Sequence, residues 1–125
     1  MSKRVVIAVG LIAAALALSC ATLGKVKNVG QTLIGYLEEA EALHAENGDY
    51  AAPLDKALQL WSDKRELLGV ILKHSDTDEI EKYFYQISTF RENGAAAELF
   101  AAVEECRAAI EVMLRGEDPA ARNIF

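Results

Sequence analysis

Cysteine, proline and histidine are scarce in this chain, 2 of each in 125 residues. Two cysteines cannot make a disulfide scaffold. Two prolines and 8 glycines are too few for a disordered or fibrous chain. His44 and His74 lie 30 positions apart, which excludes a zinc-binding pair on a single helix. Basic residues are outnumbered, 13 against 19 acidic, and that balance argues against a nucleic-acid partner. Also missing are a Gly-rich phosphate loop, a Gly-x-Ser-x-Gly elbow and a Cys-x-x-Cys pair. What remains is a 52% hydrophobic chain of a length that allows one ordinary domain.

Charge is unevenly placed. Lys3 and Arg4 precede residues 5–23, which hold no charged side chain, and the chain beyond Arg4 carries a net −8. The apolar segment is rich in Ala, Val, Leu and Ile. As a helix it would run about 28 Å, just enough for a hydrocarbon core of about 30 Å. A bilayer offers no water to pair backbone groups, so helix is the expected form there. Lys3 and Arg4 on one side against Lys25 and Lys27 on the other give a slight bias toward a cytoplasmic N-terminus. The expectation is a single-pass membrane anchor with residues 24–125 outside the cytoplasm. Three fates are open: a retained signal-anchor, lipidation at Cys20 after Ala17, Leu18 and Ser19, or cleavage at the small-x-small run Ser19, Cys20, Ala21. Ala13, Ala17 and Ala21 recur every fourth residue, as do Gly10 and Ala14, a spacing that allows weak self-association of membrane helices.

Past Leu23 the apolar positions follow the helical period. Val26, Val29, Leu33, Leu37 and Ala40 form one face of a helix ending near Glu46. Asn47, Gly48 and Asp49 break it, with Gly48 suited to a left-handed C-cap and Asp49 to capping the next helix. Pro53 fits the first turn of that helix. Leu54, Ala57, Leu58, Trp61, Leu68, Ile71 and Leu72 give it a broad apolar stripe with Trp61 as the core anchor. A third helix opens around His74, where Ser75 with Asp78 and Asp76 with Glu79 have capping-box spacing. Ile80, Tyr83, Phe84, Ile87 and Phe90 supply its buried face, and Asn93 and Gly94 end it. A fourth helix buries Leu99, Phe100, Val103, Cys106, Ile110 and Met113, and Gly116 and Pro119 stop it.

Glu46, Asn47 and Gly48 recur as Glu92, Asn93 and Gly94, an offset of 46. Such a recurrence suggests a helical hairpin used twice. The fold class expected is all-α: an N-terminal transmembrane helix, then an antiparallel four-helix bundle of two hairpins. The layout is residues 1–24 anchor, 25–115 helical domain and 116–125 tail.

Chemistry finds little footing. Asp76 and Asp78 begin like a calcium loop, but Ile80 stands where a third oxygen ligand belongs. Glu38, Glu39, Glu41, Glu104 and Glu105 read as solvated helix faces. Cys106 reads as a small core hydrophobe. His74, beside Asp76, Asp78 and Glu79, reads as a junction latch, with a pH sensor as the functional alternative. No catalytic residue, metal ligand or cofactor is expected.

Trp61, Leu67, Leu68, Ile71, Leu72, Lys73, His74 and Ser75, followed by Asp78, Glu79, Ile80 and Glu81, resemble the bacterial domain-of-unknown-function family 4363. The likeness runs from the apolar segment to about Leu114, and the Trp-to-His-Ser block is its specific part. Leu68 departs from it, standing where other members often show a second aromatic, and Cys20 is not associated with the family. The resemblance implies a membrane-tethered, all-helical, extracytoplasmic domain and supplies no activity. The functional expectation is a non-enzymatic module that docks to another membrane or envelope protein. The alternative is a pH- or cation-sensing domain using His74 and its neighbouring acids.

Overall fold

Ala, Leu and Glu are the commonest residues between the Asn–Gly breaks, and these are strong helix formers. The computed structural model describes residues 2–72 and 74–116, and within them every side chain but those of residues 19, 22, 23, 71 and 74. Most of them lie in four helices: α1 (Lys3–Ala45), α2 (Ala51–Ile71), α3 (His74–Glu92) and α4 (Ala96–Gly116). Ser2 caps α1, its hydroxyl accepting from the Val5 N–H at 3.4 Å.

The apolar segment and the first amphipathic helix are one continuous helix of 43 residues, with no break at position 24. Among the described residues no helix is long and apolar enough to cross a membrane. That corrects the expected transmembrane anchor over residues 5–23 and, with it, the single-pass placement in the cell membrane with residues 24–125 outside the cytoplasm. The charge-free run is not a separate element: α1 carries on through Lys25 and Lys27 and gives its second half, from Val26, to the bundle core.

From Val26 onward α1 is part of a four-helix bundle. α1 packs closely on α2 and α3 on α4; α1 and α4 join the two hairpins, and α2 and α3 approach least. Val26, Val29, Leu33, Leu37 and Ala40 line the core, with Leu54, Ala57, Trp61, Leu68 and Leu72 from α2 and its C-terminal end. Ile80, Phe84 and Ile87 come from α3, and Leu99, Ala102, Val103, Cys106, Ile110 and Met113 from α4. Tyr83, Phe90, Phe100 and Leu58 are only partly buried at the rim. Gly30 allows the close approach of α1 and α4, since a methyl group there would sit 2.6 Å from Leu114 Cδ2.

The two hairpin turns share a triplet but not its use. In the first, Asn47 takes the left-handed conformation (φ 58°), and the Gly48 N–H bonds the Leu43 carbonyl at 2.7 Å. In the second it is Gly94 that turns left-handed (φ 67°), and Ala95 bonds Phe90 at 2.9 Å. Both are Schellman endings, one residue out of phase, because asparagine as well as glycine tolerates this region. The expected left-handed Gly48 is therefore corrected to Asn47. The expected cap is corrected as well: Tyr50 and not Asp49 is the N-cap of α2, and Asp49, one residue further out, accepts from the Ala51 N–H at 2.9 Å.

The offset of 46 turns out to be a mean of two others. Buried Leu33, Leu37 and Ala40 correspond to Ile80, Phe84 and Ile87, 47 residues later. Buried Leu54, Ala57, Trp61 and Leu68 correspond to Leu99, Ala102, Cys106 and Met113, 45 residues later. The first connection, residues 46–50, is two residues longer than the second, residues 93–95, which accounts for the difference.

Candidate functional site

The seam between α2 and α3 is held largely by one residue. Trp61, 4% exposed, stacks on Phe84 with ring centroids 5.3 Å apart and planes 18° off parallel. Its indole N–H donates to the Glu81 carboxylate, which also accepts from Arg65 Nη1 at 3.0 Å. Arg91 of α3 reaches Asp55 of α2 along the same seam, and this contact holds the Asp55 carboxyl below its ordinary value. Trp61 thus has a packing partner and a polar partner, as its indole requires when buried.

The seam between α1 and α4 has a charged hub. Arg107 Nε donates to Glu41 at 3.1 Å, and its two terminal nitrogens reach Glu104 and Glu111 at 3.4 Å each. Burial pushes the Glu41 carboxyl above its ordinary value, with Glu104 adding to the rise, and Arg107 offsets this only in part. Desolvation works against the Arg107 cation, but Glu41, Glu111 and Glu104 hold its pKa up. Glu41 was expected on a solvated face; it is instead half-buried against Arg107. The spacing of Glu104 and Glu111 about Arg107 was visible in the sequence. Their meeting with Glu41, 66 residues from Arg107, was not.

At the end of the bundle by the first turn, three rings pack together. His44 stacks on Phe100 with centroids 4.0 Å apart, and Tyr50 meets both edge-on. This pins the end of α1 to the start of α4. An open cleft of about 230 Å³ between α3 and α4 is lined by Glu79, Tyr83, Glu105, Ala108, Ala109 and Val112. In it the Tyr83 hydroxyl donates to Glu79 at 3.3 Å. Desolvation raises the Tyr83 pKa first, and Glu79 and Glu105 add to it.

The expected junction is not assembled as a site. The side chain of His74 and all of Lys73 lie outside the described residues. Because α3 already begins at His74, Ser75 sits inside the first turn rather than at the cap. Asp76 occupies that first turn, where the helix dipole favours an anion. Asp78 is exposed, and Glu79 is engaged by Tyr83. No cluster of three or more metal-ligating side chains occurs among the described residues.

The two thiols are free and differ in access. Cys106 is fully buried and burial pushes its pKa far above the ordinary value, while Cys20 is exposed on α1. A thiolate is the reacting form. Under native conditions at pH 8, a thiol reagent is expected to label Cys20 at once and Cys106 at least about tenfold more slowly, with Cys106 reacting as the bundle opens. Equal labelling of both in the folded protein would contradict the packing of α4.

The described side chains of residues 2–18, 20, 21, 24 and 25 are all exposed. Val5, Val6, Ile7, Val9, Leu11, Ile12, Leu16 and Leu18 each expose between 45% and 69% of their surface. They lie on every side of α1, so this half of the helix is an apolar arm without an inward face.

No family model, curated protein or solved structure matches this chain. The resemblance carried by Trp61, His74, Ser75 and the acids that follow therefore rests on those residues alone.

Proposed function

We propose that this protein is a non-enzymatic interaction module, a four-helix bundle that docks to another protein through the apolar arm of α1. One observation carries the reading: eight large apolar side chains stand exposed along residues 5–18, while beyond Val26 only the scattered Leu67, Val70, Tyr85 and Val112 do so among the described residues. A contiguous apolar surface of this kind marks a place of association. A helix that is apolar on all sides needs cover from more than one neighbour. The buried Cys106 thiol is held protonated, and Glu41, Asp55, Glu79 and Glu81 are engaged by Arg107, Arg91, Tyr83 and Arg65 in structural roles.

The test is a photo-crosslinking amino acid placed at Leu11 of the full chain in cells. A discrete adduct with a different protein is expected. The same probe at Asp63, on the exposed face of α2, serves as the comparison and should give no such adduct. Adducts only with a second copy or with lipid, or equal capture from both positions, would end this reading.

A further inference from the structure

The arm carries charge only at its ends. Lys3 and Arg4 stand at one end and Lys25 and Lys27 at the other, about 32–36 Å apart along the helix. No carboxylate occurs in the chain before Glu38, so residues 1–37 carry a net +4 and residues 38–125 a net −10. Five of the cations in the bundle are engaged. Arg65, Arg91 and Arg107 pair with carboxylates, and Lys56 and Lys82 lie over the rings of Tyr36 and Tyr83. The four arm cations are exposed, and no ion pair among the described residues uses them.

Resting on the interaction reading above, we propose that the arm seats in an apolar slot of a partner protein that bears carboxylates at both mouths. The physical argument is desolvation. Covering the apolar stretch draws water away from the cations at its ends, and an uncompensated cation there takes back part of what the apolar contact returns. The arm itself supplies no anion, so the partner must. A second copy's arm fails this requirement in either orientation, because it too brings only Lys and Arg to the ends. Length sets the slot: the apolar part between the charged ends is about 30 Å. The ends act as a two-point gauge, fixing how far the arm enters.

The experiment uses the photo-crosslinker at Leu11 in the full chain. Capture is compared among the unaltered chain, K3E/R4E, K25E/K27E and the fourfold variant. Thermal melts check that the bundle is unchanged, as expected for substitutions outside its core. Each double reversal is expected to lower the protein adduct about tenfold, one lost charge pair's worth of affinity. Mapping the crosslinked peptide should place Asp or Glu near both ends of the arm. If a protein adduct persists at full yield in all variants, docking is apolar alone: this inference falls and the interaction reading stands. If the adduct is with lipid or a second copy only, both fall.

Discussion

Trp61→Ala is expected to destabilise the bundle by about 3–5 kcal/mol, the range for removing a large buried aromatic. In a domain of this size that corresponds to a fall in Tm on the order of 15–30 °C. The magnitude follows from where Trp61 sits. α2 and α3 make the thinnest of the four helix seams, and Trp61 fills it by stacking on Phe84. The substitution also strips Glu81 of its indole donor, leaving Arg65 as its partner. Trp61→Phe separates the two contributions: it keeps a ring against Phe84, loses the N–H, and should cost about 1–2 kcal/mol beyond the change in volume. Melts followed by far-ultraviolet circular dichroism measure both. A Tm for Trp61→Ala within a few degrees of the unaltered protein would mean that the seam is held by something else.

Arg107→Met is the second large effect, and its size depends on pH. Methionine keeps an unbranched stem of similar reach, so packing along α4 is largely retained while the charge is lost. Glu41, Glu104 and Glu111 are then left together without their cation. A loss of about 1–2 kcal/mol at pH 7 is expected, below the figure for a fully buried pair because the Arg107 side chain is 29% exposed. Glu41 already has a folded-state pKa above its ordinary 4.5, chiefly through desolvation. An acid shifted upward is penalised when ionised. Its penalty is absent below the unfolded value, grows as pH rises through the folded one and is complete above it. Without Arg107 the shift widens. The Tm gap between the two proteins should therefore narrow as pH falls from 7 to 4. Asp55 works the other way, since the Arg91 hydrogen bond lowers its pKa from an ordinary 3.8. Its contribution is present above that value and lost as pH falls through the folded one, equally in both proteins. A gap that stays constant across this range would assign the loss to packing and not to charge.

The helical period alone picked out most of the core. Val26, Leu33, Leu37, Leu54, Trp61, Ile80, Ile87, Leu99, Val103 and Ile110 recur at three- and four-residue steps and are all buried. That pattern is legible because burial of one helix face is a local constraint repeated each turn. Ala102 escaped notice because a small side chain leaves little periodic signal. Cys106 was readable as a core residue, and its thiol is held protonated by that burial.

What the sequence by itself determined is the number of breaks, the stripe each helix buries and the uneven placing of charge. These follow from backbone preference and solvation, which act within a few residues. Only the tertiary structure decided how the pieces meet. The apolar start of the chain and the first amphipathic stripe continue as a single helix, since nothing between Lys3 and Ala45 ends it. The left-handed residue of the first turn is Asn47 and not Gly48, because α1 ends one residue earlier in its triplet than α3 does in its own. Glu41 meets Arg107, and Trp61 meets Glu81, because packing brought together faces that no sequence interval links.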